Sequence, residues 1–256
     1  MLDLSPRRLS RPAKSQVLLV VGPSLGTSAA SLWGRTASRL PGVEVLGWDL
    51  PGHGNAAPAS APFTVDDVVE AVLTVAGSAA AGRPVHYAGV SLGGAVGLAL
   101  ALRPGAFASV ASLCAAPKIG LAQAWQERAQ LVRREGTAAV VEGSRERWFA
   151  PGFADEHPGV ADVLLDGLRA ADATSYAWAC EALAAFDLTA SMASATTPLL
   201  AVTGEHDPVV STEQVRHALP AAEHSVLPGC GHLPPAEQPE AVAALLTTWI
   251  ARGDNG

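Results

Sequence analysis

Short apolar runs rich in Val and Leu recur along the chain at residues 16–21, 43–49, 85–90, 109–114, 198–203 and 224–227. Longer stretches with helical periodicity separate them, at 28–40, 65–79, 92–102, 212–219 and 239–251. Apolar strands alternating with helices are the signature of a parallel sheet covered on both faces. The pattern therefore predicts an α/β fold with a mostly parallel central sheet and helices on both sides. The helix opening at Val65 carries its own start signal. Thr64 is a good N-cap residue, and Asp66 and Asp67 lie in the first turn, where the helix dipole favours carboxylates.

One interval breaks the alternation. About 80 residues separate Cys114 from Pro198, whereas a parallel crossover needs only a dozen or so. Helical periodicity shows at 121–134, 137–147 and 172–186, with a turn at the Pro-Gly-Phe of 151–153. The interval also holds Trp125, Trp148, Phe149, Phe153, Tyr176, Trp178 and Phe186, from a chain with six Trp, five Phe and two Tyr. An aromatic-rich insertion in one crossover reads as a cap over the ligand-binding edge of the sheet. The expected organisation is a core of residues 1–118 and 190–256, with a helical cap of residues 119–189 inserted in it.

Composition narrows the class of partner. A chain of 256 residues that is 49% hydrophobic and 16% charged suits one large domain with an insertion. It should bury roughly 70–75% of its unfolded surface, enough to fold without disulfides or a structural metal. The net charge is −7, and Lys14 and Lys118 are the only lysines, so no basic patch offers itself to nucleic acid. No apolar stretch approaches the roughly 18 residues of a membrane span. The N-terminal MLDLSPRRLSRPAK lacks the apolar run of a signal peptide. Cys114, Cys180 and Cys230 are odd in number and widely spaced, which fits neither a disulfide framework nor a zinc pattern. Reduced thiols in a cytoplasmic protein are expected, acting on a small molecule with no cofactor or metal.

The most informative segment is VHYAGVSLGGAVGLALAL, which runs from strand to helix through Gly89-Val90-Ser91-Leu92-Gly93. Such a turn holds a serine in a strained conformation that lifts its Oγ into the open, and a side chain at either glycine would clash across it. The helix that follows aims its N–H groups at a developing oxyanion. GVSLGG lacks the three-glycine dinucleotide spacing, and neither it nor GPSLGTS has the Gly-Lys-Ser/Thr of a phosphate loop.

A serine hydroxyl needs a base, and the base an orienting carboxylate. In this motif class the chain order is Ser, acid, His. PLLAVTGEHDPVV is a buried strand followed by a loop, and Asp207 lies just beyond the strand end, with Glu205 as the alternative. Among His157, His206, His217, His224 and His232, only His232 stands in a loop directly after the last strand, in PGCGHLPP. Ser91, Asp207 and His232 are thus the candidate triad. Alone, the Asp would read as a turn residue and the His as an ordinary surface or core residue. The oxyanion donors are read as the N–H groups of Leu92 and of Leu25, the latter in the Gly- and Ser-rich turn after the first strand. His53, between two glycines in WDLPGHG, reads as a positioning residue beneath the site, since no cluster at ligand spacing accompanies it.

GPSLGTSAASLW, WDLPGHG, GVSLGG, GEHDP and GCGH together resemble the α/β-hydrolase superfamily. Within it, PSLGTS, the segment WQERAQLVRREG…ERWFAPGF and GHLPPAEQPEAV are similar to the 3-oxoadipate enol-lactonases of the β-ketoadipate branch of aromatic catabolism. The likeness runs from about residue 16 to 251. It implies the α/β-hydrolase fold, a serine acyl-enzyme mechanism, and roles for Ser91, Asp207, His232, Leu25 and Leu92 that match those read above. Two departures stand out: Pro23-Ser24 replaces the usual His-Gly before the oxyanion residue, and the N-terminal segment leaves little room for an antiparallel strand pair before Gln16.

The family's substrate carries a free carboxylate, yet residues 119–189 hold six arginines against eleven carboxylates. A specific arginine is needed. Trp125, Arg128 and Val132 fall on one helical face, making Trp125 and Arg128 the first candidates and Arg147 with Trp148 the second. A carboxylesterase or a carbon–carbon hydrolase of ring-fission products would use the same triad. A non-catalytic binding protein on this fold would have no need of all three residues.

Overall fold

The computed structural model describes residues 2–253. Its sheet has the strand order β1-β3-β2-β4-β5-β6-β7, with β1 Arg7–Ser10, β2 Val17–Gly22, β3 Val43–Gly47, β4 Val85–Val90, β5 Ser109–Leu113, β6 Leu199–Gly204 and β7 Glu223–Leu227. β1 pairs antiparallel with β3, and the other five pairs are parallel. The six strands expected from the apolar runs are all present. Strands β3 and β5 are buried at every position, as two-sided covering requires.

The strand order places the site. The crossover from β2 through α1 (Ala29–Ala37) to β3 moves one way along the sheet; the crossover from β3 through α2 (Val65–Ala80) to β4 moves the other way. Right-handed crossovers of opposite direction put their helices on opposite faces. The crossover through α3 (Leu92–Ala101) to β5 continues in the second direction. Beyond the carboxyl ends of β2 and β4 the chain therefore departs to opposite sides and leaves a crevice. Gly22 and Gly89 are register partners there, so the two strand ends are level.

The N-terminal edge holds one antiparallel strand and no pair, in keeping with the short segment before Gln16. A single four-residue strand fits before β2, and its sequence RRLS carries no apolar run that would have announced it. Its anchor is electrostatic: the buried Glu44 of β3 takes Arg8 Nε at 2.8 Å and Arg83 Nη1 at 2.8 Å.

Between β5 and β6 lie α4 (Ala122–Glu135), α5 (Val141–Trp148), α6 (Phe153–Glu156), α7 (Pro158–Ala170) and α8 (Ala173–Ala185). α4 packs along α8, and α7 lies against α5 and α1. The expected helix at 137–147 is split: a 3-10 turn at Thr137–Val140 precedes α5, with two adjacent β-branched residues, Val140 and Val141, at the junction. The Pro-Gly-Phe turn is present, with Gly152 at φ +84°, and α6 starts on its Phe153. α7 is an addition to the helices read from sequence. After β6 come α9 (Thr212–Ala218), β7, the short α10 (Pro234–Glu237) and α11 (Pro239–Gly253).

Candidate active site

Ser91 ends β4 and precedes α3 with φ +55° and ψ −112°, a region that a non-glycine residue occupies only when its surroundings force it. Those surroundings are backbone. A Cβ on Gly89 would lie 2.1 Å from the Gly93 carbonyl oxygen, and one on Gly93 would lie 2.7 Å from Gly22 C and Pro23 O. Glycine is what lets β4, α3 and the turn after β2 approach one another. The contact is fixed by the Gly93 N–H, which donates to the Pro23 carbonyl at 3.0 Å, and by the buried Tyr87 hydroxyl, which donates to the Gly93 carbonyl at 2.8 Å. Leu25 lines the same cavity as Ser91, and Leu92 is the first residue of α3.

Asp207 follows β6 and His232 follows β7. His232 Nδ1 lies 2.9 Å from each oxygen of Asp207, and both residues are buried. Asp207 Oδ1 also accepts the N–H groups of Val209 and Val210 at 2.8 and 3.2 Å. The aspartate is thus a turn residue and the partner of the histidine at once. Glu205, the alternative, is exposed and takes the Gly229 N–H at 2.8 Å instead. The His157 ring lies tilted against Phe153, and His224 Nε2 lies 2.9 Å from the Leu219 carbonyl.

A residue not anticipated from sequence joins this pair. Cys114, just after β5, is buried with φ +50°, and ligand-type atoms of Cys114, Asp207 and His232 all lie within 4.8 Å of one another. Among the described residues, these three form the one cluster whose spacing would admit a metal ion. Burial, and then the charge of Asp207, pushes the Cys114 thiol well above its ordinary value. A protonated thiol is a hydrogen-bond donor beside a carboxylate, not a ready metal ligand.

Ser91 and His232 open onto a cavity of about 310 Å³, which Ser24 and Leu25 also line. The insertion supplies Trp125 and Arg128 from α4, Arg147 and Trp148 from α5, and Tyr176 from α8. The four cavity residues expected from the sequence thus meet the serine and histidine in one space. Val132, placed on the same helical face, is instead buried in the core. Arg128 does not lie free over Trp125: its Nε donates to the Tyr176 hydroxyl and its Nη2 to Ser144 Oγ, both at 2.8 Å. Arg147 is exposed at the rim. Desolvation, and after it the neighbouring Arg128 charge, lowers its pKa.

His53 lies behind Tyr176, stacked on it at 5.8 Å between ring centroids. Its Nδ1 is 3.0 Å from the Pro51 carbonyl, and its Nε2 has no hydrogen-bond partner among the described residues. Burial pulls its pKa down to about 4, so the ring is neutral and serves as packing for a cavity wall.

Residues 17–245 match the alpha/beta hydrolase family, and the chain belongs to it. Within that family it resembles enol-lactonases. It is 32% identical to 3-oxoadipate enol-lactonase 2 of Acinetobacter baylyi, over 87% of this chain and 84% of that one. It is 28% identical to 3-oxoadipate enol-lactonase 1 of the same organism, over 91% and 88%. The crystal structure of the enol-lactonase from Burkholderia xenovorans superposes with a TM-score of 0.89 at 27% identity, covering 96% of this chain and 95% of that one.

Proposed function

We propose that this protein is a carboxylic ester hydrolase that opens the ring of 3-oxoadipate enol-lactone to give 3-oxoadipate, within aromatic catabolism. In this reading Ser91 Oγ attacks the lactone carbonyl while His232 takes its proton, and Asp207 holds the imidazole tautomer. The N–H groups of Leu25 and Leu92 donate to the tetrahedral oxyanion, each worth a few kcal/mol in such sites. Collapse breaks the ring C–O bond and expels an enolate, which is protonated to the ketone. Water deprotonated by His232 then attacks the acyl-serine and frees the second carboxylate. Residues 119–189 act as a cap domain on a core of residues 1–118 and 190–256.

The observation that carries the choice of substrate is the arginine pair. Arg128 and Arg147 share a cavity with Ser91 and His232, and among the described residues no acidic one lines that cavity. An anionic lactone would meet two guanidiniums there, although the insertion as a whole carries more carboxylates than arginines. Trp125 and Trp148 supply apolar walls for the ring.

The test compares purified wild type and Ser91→Ala on 3-oxoadipate enol-lactone, p-nitrophenyl acetate and a ring-fission dienoate. The enol-lactone is expected to have the highest kcat/KM, and Ser91→Ala to lower kcat by about 10⁴-fold or more. A preference for the aryl ester or the dienoate would replace the substrate assignment. Turnover of the variant near that of wild type would overturn the triad, and no turnover of any substrate by wild type would leave a binding protein.

A further inference from the structure

The motif GHLPPAEQPEAV contains one half-buried carboxylate that the mechanism above does not use. Glu237, at the end of α10, turns its carboxylate back toward the loop that carries His232. Oε1 accepts the N–H groups of Gly231 and Leu233, each at 3.1 Å, and so binds the residues on both sides of the histidine. Oε2 takes the N–H of Gly231 at 3.1 Å and that of Ala150 at 2.8 Å. Ala150 belongs to the segment just after α5. The same segment is stitched to the histidine a second time, by the His232 N–H donating to the Trp148 carbonyl at 3.0 Å. There is no slack between them: a Cβ on Gly231 would lie 2.5 Å from the Ala150 nitrogen.

We propose that Glu237 is the positioning residue for the base of this site. Its carboxylate gathers the N–H groups flanking His232 together with that of Ala150, and so locks the histidine to the end of α5 that walls the cavity. The inference rests on the Ser91–His232–Asp207 reading given above. It adds two consequences. The Trp148 wall and the base form one hydrogen-bonded unit, so a ligand that shifts the end of α5 shifts the base with it. Glu237 also places a second negative charge near the ring, besides Asp207, and favours the imidazolium that forms as Ser91 is deprotonated.

Burial works against ionisation of Glu237 and raises its pKa, while the three backbone N–H donors and the charge of His232 lower it. The groups facing His232 from the elements around it are Asp207 after β6, Cys114 after β5 and Glu237 on α10, with Arg128 and Arg147 across the cavity. Arginines oppose a cationic ring, and the two carboxylates offset them.

The experiment is the pH profile of kcat/KM for p-nitrophenyl acetate in wild type, Glu237→Gln and Glu237→Asp, with Ser91→Ala alongside and a thermal melt of each. Glu237→Gln is expected to lower kcat/KM by roughly tenfold to a hundredfold. Its acidic limb should also move to lower pH by about half to one unit, because the imidazolium loses a nearby negative charge. Glu237→Asp keeps the charge and shortens the reach, so its rate should fall while its limb stays in place. Rate loss in both variants with no limb shift in Glu237→Gln would make the residue a structural tie only and overturn the proposal, as would wild-type behaviour in both. If Glu237→Gln does not fold, the limb is read in Glu237→Ala instead: a limb displaced to lower pH with reduced rate supports the proposal, and an unmoved limb overturns it. Activity surviving in Ser91→Ala would instead sink the underlying triad, whatever the Glu237 variants do.

Discussion

Arg128 is held by two hydrogen bonds on one side, to Tyr176 and Ser144, and it opens onto the cavity on the other. A guanidinium fixed in this way is preorganised for a carboxylate. Replacing it with glutamine should raise KM for the anionic enol-lactone by about tenfold to a hundredfold, the loss of a charge-assisted hydrogen bond, and leave KM for neutral p-nitrophenyl acetate within about twofold. Equal effects on both substrates would assign Arg128 to wall structure alone. The residues of this site differ in how they announce themselves. Ser91, Asp207 and His232 can be read from the chain because each sits in a short local motif at a strand end. Tyr87, Cys114 and Glu237 cannot, because their roles come from register and packing: Tyr87 reaches Gly93 across the turn, and Cys114 meets Asp207 only once β5 and β6 are paired.

Elements followed the same logic of local against distant information. The parallel strands declared themselves as apolar runs. β1 did not, since its four residues are mostly polar and its position depends on pairing with β3 and on Glu44. α7 left a legible signal, with Pro158 in its first turn and buried Ala161, Leu164, Leu165 and Leu168 at helical spacing, but it lies within an interval that has no strands to frame it. α2 is the clearest case of purely local specification. Thr64 Oγ1 accepts the Asp67 N–H at 3.1 Å, and Asp67 Oδ2 accepts the Thr64 N–H at 2.8 Å, a reciprocal capping box on an exposed turn. Thr64→Ala should cost about 1 kcal/mol in urea denaturation. The hydrogen bonds from Thr64 hold the Asp67 carboxyl below its ordinary value, so this contribution is complete near neutrality and is lost as pH falls through the carboxylate range. The Thr64→Ala deficit should therefore shrink in acid.

For the molecule as a whole, the buried neutral His53 sets an acid liability. Burial holds its folded pKa at about 4, below the ordinary histidine value of 6.5. Above pH 6.5 neither folded nor unfolded chain holds the proton. As pH falls from 6.5 to 4 the unfolded chain takes it up and the folded chain does not, so stability falls by up to about 3 kcal/mol and then levels off. His53→Gln should flatten that part of the curve, measured by denaturation at pH 7 and pH 4.5, and an unchanged slope would show that other groups dominate. Packing at this scale also governs sulfur. Cys114, Cys180 and Cys230 are all free, and all have essentially no exposed surface. Burial raises the pKa of each thiol, to about 12 for Cys180. The native molecule therefore offers alkylating reagents and oxidants almost no thiolate. A chain that opens globally presents three thiols where there were none, so the fold carries its own chemical counter of unfolding events, read by a thiol reagent with no engineered residue.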